Sequence, residues 1–204
     1  MRLAYLFLRS RRAGYAAVAL AAVAALGWLA AEWPLSASQA SGSRLVRVLF
    51  YMPLVAAMVI GASTHTPFGE LEHTASRSLP ALRFGHLAML LIWSLATLEV
   101  LTLGREQPYA WLLLARNLAG FTGMALLTAR ITGSHLSWVV PLGYAVLALL
   151  TGAEGPAEFT TWVWPLQPPT DGLALAGALV LLGAGLATAV LFGPRDAQGE
   201  VEQA

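Results

Sequence analysis

Apolar runs of bilayer-crossing length recur along nearly the whole chain, separated by short polar stretches. A crossing helix needs about 20 mostly apolar residues. The pattern predicts six such spans, at about Gly14–Glu32, Val46–Ser63, Phe84–Leu103, Tyr109–Ala129, Leu136–Thr151 and Gly172–Phe192. The fifth is short. Before the first span, Leu3, Leu6 and Phe7 recur at helical spacing between Arg2 and Arg9. That predicts an amphipathic helix over residues 1–12, lying on the membrane surface. A frayed basic leader is the plainer alternative.

Ser10-Arg11-Arg12 before an apolar run imitates a secretion signal, and Ala37–Ala40 imitates its cleavage site. The run exceeds the roughly 7–15 apolar residues of such a signal. It reads instead as a retained first span. The expected fold is all-α and membrane-embedded, one transmembrane domain over residues 1–204. The polar connections are a loop at 64–83, an external Trp-rich segment at 152–171 and a polar tail at 194–204.

Composition agrees with this picture. Hydrophobic residues make up 57% of the 204-residue chain and charged residues 11%, against about 25% charged in soluble domains. The net charge of +1, without a basic patch, gives no sign of nucleic acid. Cysteine is absent, which excludes disulfides, thiolate metal sites and a cysteine nucleophile. Lysine is absent too, so every basic side chain is arginine.

The arginines set the orientation, because short cytoplasmic loops carry excess positive charge. With both termini inside, Arg2, Arg9, Arg11, Arg12, Arg77, Arg83, Arg130 and Arg195 are cytoplasmic. Arg44, Arg47 and Arg105 lie outside, with Glu32, Glu106, Glu154, Glu158 and Asp171. Aromatics in the 152–171 segment (Phe159, Trp162, Trp164) favour the headgroup region. Two readings fit that segment, a short helix dipping into the outer leaflet or ordinary interfacial anchoring.

Candidate chemistry is sparse. Glu99, Arg116 and Asn117 lie within spans, where charge is costly. They form a candidate intramembrane polar network, with Arg116 expected to reach Glu99 across adjacent helices. Substrate contact and snorkelling to headgroups are the other readings. Ser94 and Thr97 have no deep histidine partner and no Asp lies within a span, so an intramembrane enzyme is not expected. The histidines show no metal-binding spacing. Small residues in the first and sixth spans fit close helix packing.

The loop at Pro67–Leu87 reads PFGELEHTASRSLPALRFGHL. Glu70 and Glu72 precede a short helix, where the helix dipole favours negative charge. Leu71, Leu79 and Leu82 offer an apolar face, and Arg77 and Arg83 lead into the third span. A solvated loop obeying the positive-inside rule is the plainer alternative.

With six spans, an amphipathic N-terminal segment and this acidic loop, the chain resembles the membrane subunits of type-two ATP-binding-cassette exporters. The stretches ALRFGHL, ARNLAGFTGMALL and TWVWPLQPP look like actinobacterial permeases of that group. The family's coupling helix lies between spans two and three, often as E-x-G-x-x-E followed by L-x-x-x-P. Here Glu70 and Glu72 supply the acids and Ser76–Pro80 the later part, while the usual Glu-Gly-Thr core is missing. The family also places short external helices between spans five and six.

The resemblance implies a bacterial cytoplasmic-membrane permease docking a separate ATPase through Glu70, Leu71, Glu72, Arg77, Leu79, Leu82 and Arg83. It also implies a second permease copy, as a homodimer or related heterodimer. ATP and magnesium would belong to the partner, since this chain has no phosphate loop and no lysine to form one. The alternatives are the substrate-binding subunit of a vitamin-type importer and a non-transporting membrane scaffold.

Overall fold

A computed structural model describes residues 13–32, 41–65, 79–103, 109–152 and 163–193. These residues form six α-helices and no strand: α1 (Ala13–Glu32), α2 (Ser41–Ala62), α3 (Leu79–Glu99), α4 (Ala110–Thr132), α5 (Val139–Gly152) and α6 (Gly172–Leu191). Single 3₁₀ turns follow α3 at Val100–Thr102, precede α5 at Ser134–Leu136 and lie before α6 at Trp164–Leu166. Four helices are long and apolar enough to cross a membrane: α1, α3 with its 3₁₀ turn, α4 and α6. The apolar parts of the other two, Val48–Ala62 and Ser134–Leu150, are shorter. This is the make-up of a multi-pass helical membrane protein. The N-terminal surface helix and most of the 64–83 loop lie outside the described residues.

Helix boundaries depart from the apolar runs for local reasons. α3 starts at Leu79, five residues before the expected Phe84. Pro80, which has no N–H, is tolerated there because N–H groups of the first turn have no intrahelical acceptor. α2 reaches back to Ser41, so polar Ser41–Arg44 is helical although it is not apolar. α4 stops where Gly133 takes φ +94°, its N–H closing on the Ala129 carbonyl. The left-handed region suits glycine, and the break leaves α5 only 14 residues. α6 begins at an Asp171 cap, whose Oδ1 accepts from the Ala174 N–H at 2.8 Å.

α4 is the axis of the bundle. Every residue from Arg116 to Leu126 is buried. α2 closes on it at Gly61, where an added Cβ would stand 3.0 Å from Ala125 Cβ and 2.9 Å from Ser137 Oγ. α6 closes on it through Gly123 and Gly185. α1 completes the layer, packing Leu20, Val23 and Ala24 with Leu49 of α2 and Leu90 of α3. Trp93 of α3 donates to the Ala17 carbonyl at 3.0 Å. In lipid such contacts rest on close packing and hydrogen bonding rather than on expelling water.

The outward faces are apolar. Leu173 and Val180 of α6 are 81% and 71% exposed, and Val18 of α1 is 70% exposed. A soluble protein rarely leaves so much contiguous apolar surface; a lipid surround would cover it at no cost. Several helix hydroxyls turn back on their own backbone, as Thr128 does onto Met124 O at 2.7 Å.

Candidate functional site

The chain's least expected feature is built on Arg116 and Asn117 of α4. Both are fully buried. Arg116 donates from Nη1 to Pro168 O at 2.7 Å and from Nη2 to Gln167 O at 2.8 Å and Pro165 O at 3.4 Å. Its Nε donates to Asn117 Oδ1 at 3.4 Å, and Asn117 Nδ2 donates to Pro165 O at 3.3 Å. The two side chains thus hold the backbone of the segment between α5 and α6.

The sequence of that segment explains why. In a continuing helical turn the Pro165 carbonyl would accept from residue 168 or 169. Both are proline and have no N–H to give. A buried carbonyl without a donor is costly. The fork of the guanidinium supplies several donors from one side chain. In exchange, the carbonyl dipoles stabilise a cation lying about 9 Å from the start of α4 (six residues at 1.5 Å each).

Trp164 drives the same segment inward. Its ring is 8% exposed, 5.2 Å from Phe121 and stacked on Tyr144 at 6.1 Å. It fills the space over Gly120, where an added Cβ would overlap the ring. Gly120 is about 15 Å along α4, close to its middle. Residues 163–168 are therefore a wedge between α4, α5 and α6. Of the short helix that is one of the two readings for the 152–171 segment, residues 163–171 show a single 3₁₀ turn, and residues 153–162 lie outside the described residues.

Glu99 takes no part in this site. Every hydrogen-bond acceptor of Arg116 is a backbone carbonyl or Asn117, and the carboxylate that acts on its charge is Asp171, so the expected Glu99–Arg116 pair is not formed. Glu99 instead marks the end of α3, where Thr102 Oγ1 donates to its carbonyl at 2.8 Å and lies 3.4 Å from its Oε1. Carbonyls closer at hand take the guanidinium's hydrogen bonds in place of Glu99.

Of the docking residues expected from sequence, Glu70, Leu71, Glu72 and Arg77 lie outside the described residues. Leu79 and Leu82 form the half-buried first turn of α3. Arg83, just after them, is turned onto the end of α6: a Cβ on Gly193 would lie 3.0 Å from its Cζ, Nη1 and Nη2 alike, so the guanidinium lies face-on to that residue.

Other polar groups gather at this end, opposite the wedge. The Arg130 guanidinium lies over the Phe192 ring at 5.5 Å. The His65 and His135 rings are 4.7 Å apart, with Ser134 Oγ 3.2 Å from His65 Nδ1. His86, 2% exposed, is 3.4 Å from Ser63 Oγ. Sequence spacing did not reveal this assembly, because its members come from five separate segments. Among the described residues no three potential ligands group to hold a metal ion.

No family model matches the chain, and no curated protein or solved structure matches it.

Proposed function

We propose that this chain is the membrane-spanning subunit of an ATP-driven transporter, with an exporter of the type-two ATP-binding-cassette kind as the specific reading. In this reading all six helices cross the membrane and both termini are cytoplasmic. A separate ATPase docks on the 64–83 segment, and two permease copies flank the pathway.

The observation that carries the reading is the wedge. A polar-backboned segment at membrane depth is tolerated where protein buries it and satisfies it. This chain devotes a buried arginine, an asparagine and a glycine of its central helix to that task. The arrangement fits a bundle whose outer end is a built part rather than a loop. It also suggests a route for force. Motion of the docking segment would reach the first turn of α3, then α6 through the Arg83–Gly193 contact. α6 is continuous at its other end with the wedge, and the Gly123–Gly185 contact ties it to α4.

Charge reversal tests the reading. Charges at such an interface steer and register partners more than they supply affinity. Glu70→Arg with Glu72→Arg should uncouple ATP hydrolysis in the assembled complex while leaving membrane insertion intact. Wild-type coupling in that double variant would remove the docking role from this segment.

A further inference from the structure

The helices of this bundle differ in apolar length, and the short ones stand together. A bilayer core is about 30 Å thick. At about 1.5 Å per residue, α3 with its 3₁₀ turn spans roughly 36 Å, α4 roughly 34 Å and α6 roughly 30 Å. The apolar part of α2, Val48–Ala62, spans roughly 22 Å, and Ser134–Leu150, α5 with its leading turn, roughly 26 Å.

α2 and α5 are neighbours. Leu54 and Ala57 of α2 share a buried cluster with Ala145 of α5, and Gly61 closes on Ser137. Both helices turn apolar side chains outward, Tyr51 and Val55 from α2 and Val139, Val146 and Leu150 from α5. α3 and α6 pack on each other instead. One side of the bundle therefore presents an apolar band about 4–8 Å shorter than a bilayer core.

A short helix is accommodated by snorkelling of its flanking side chains, by oligomerising or by thinning the bilayer. Snorkelling needs a long side chain. Gly133 before the α5 stretch, and Thr151 and Gly152 after it, have none. Tilting would only shorten the span. The wedge gives an independent reason for thinning. It abuts α5 through the Tyr144–Trp164 stack and carries polar backbone to the level of Gly120, about 15 Å along α4. At that end the polar boundary is already lowered on the α5 side.

We propose that the α2–α5 side of the protein thins the bilayer and gathers lipids with short acyl chains, while α6 meets a bilayer of ordinary thickness. The inference rests on all six helices crossing the membrane, as in the transporter reading, and needs no ATPase.

The test uses the full chain, which has no cysteine, with one bimane-labelled cysteine introduced as Val146→Cys on α5 or Val180→Cys on α6. Both positions are exposed. Each protein is reconstituted into mixed vesicles of dimyristoleoyl- and dierucoylphosphatidylcholine, which share a headgroup and differ in chain length. Each lipid is brominated in turn, and quenching is scaled to that in the pure brominated lipid. The short-chain lipid should be enriched at position 146 by about twofold or more over its share of the mixture, and by less at position 180. Equal enrichment at the two positions, or a long-chain preference at 146, would overturn the proposal. Aqueous iodide distinguishes that failure from failure of the six-span reading. The probe at 146 should be shielded from iodide, and strong iodide quenching there would show that α5 does not cross. Shielding from both iodide and brominated lipid would place a second copy on this face and would equally overturn the proposal. If Val146→Cys does not fold, Leu142→Cys, also exposed on α5, takes its place.

Discussion

Gly123 of α4 and Gly185 of α6 meet backbone to backbone. A Cβ on Gly185 would stand 2.6 Å from the Gly123 carbonyl oxygen and 2.9 Å from its Cα. Backbone cannot swing aside as a side-chain tip can, so the two helices approach only because both residues lack a side chain.

Gly185→Ala should therefore destabilise the protein by about 1–3 kcal/mol, the usual cost of overpacking. Gly177 on the same helix meets nothing within 4 Å. Gly177→Ala should be neutral or stabilising by up to about 1 kcal/mol, from helix propensity alone. Thermal unfolding in detergent compares the two, and equal effects would refute the contact.

The Gly120–Trp164 contact gives a prediction of compensation. Gly120→Ala should destabilise by overlap with the indole, and Trp164→Ala by about 3–5 kcal/mol through the cavity it leaves. Once the ring is gone the added methyl has space. The double variant should then cost less than the sum by at least about 0.5 kcal/mol, the threshold for coupled neighbours. Strict additivity would place the Trp164 ring elsewhere.

Removing the Arg116 side chain takes a donor from each of the Pro165, Gln167 and Pro168 carbonyls. Arg116→Gln should cost about 1.5–3 kcal/mol, the range for hydrogen bonds to a charged group. Arg116→Lys should recover little, since one ammonium cannot reach three carbonyls with the geometry of a guanidinium fork. Glu99→Gln should add to Arg116→Gln within about 0.5 kcal/mol. A large coupling energy in that cycle would restore the ion pair that the structure lacks.

These sites show what the sequence made legible. The apolar runs located the six described helices, because a helix with apolar residues on every side leaves a nearly continuous hydrophobic signal. Arg116 stood out for the same reason, as a charge where none belongs. Its partners did not, because backbone carbonyls have no residue type to read. The available clue was indirect: Pro165 followed at three and four residues by Pro168 and Pro169 leaves one carbonyl without a donor. The start of α3 was misplaced because helix continues through Leu79–Arg83 after the apolar run has ended. The wedge needed Gly120 and Trp164 to be matched across 44 residues, and a single sequence gives no such pairing.

Orientation has a clean test because the chain has no cysteine. With the inside excess of arginine, a cysteine at Ser76 should resist an impermeant thiol reagent in intact cells, while one at Ser38 should react. Labelling at Ser76 from outside would invert the topology.

Isolation of the chain from its native membrane tests the transporter reading most directly. The tagged protein, purified in mild detergent, should retain a separate ATP-binding polypeptide, and the complex should hydrolyse ATP. Glu70→Arg with Glu72→Arg should reduce that retention or uncouple the hydrolysis. Recovery of the folded chain with no ATPase bound and no hydrolysis would contradict the account.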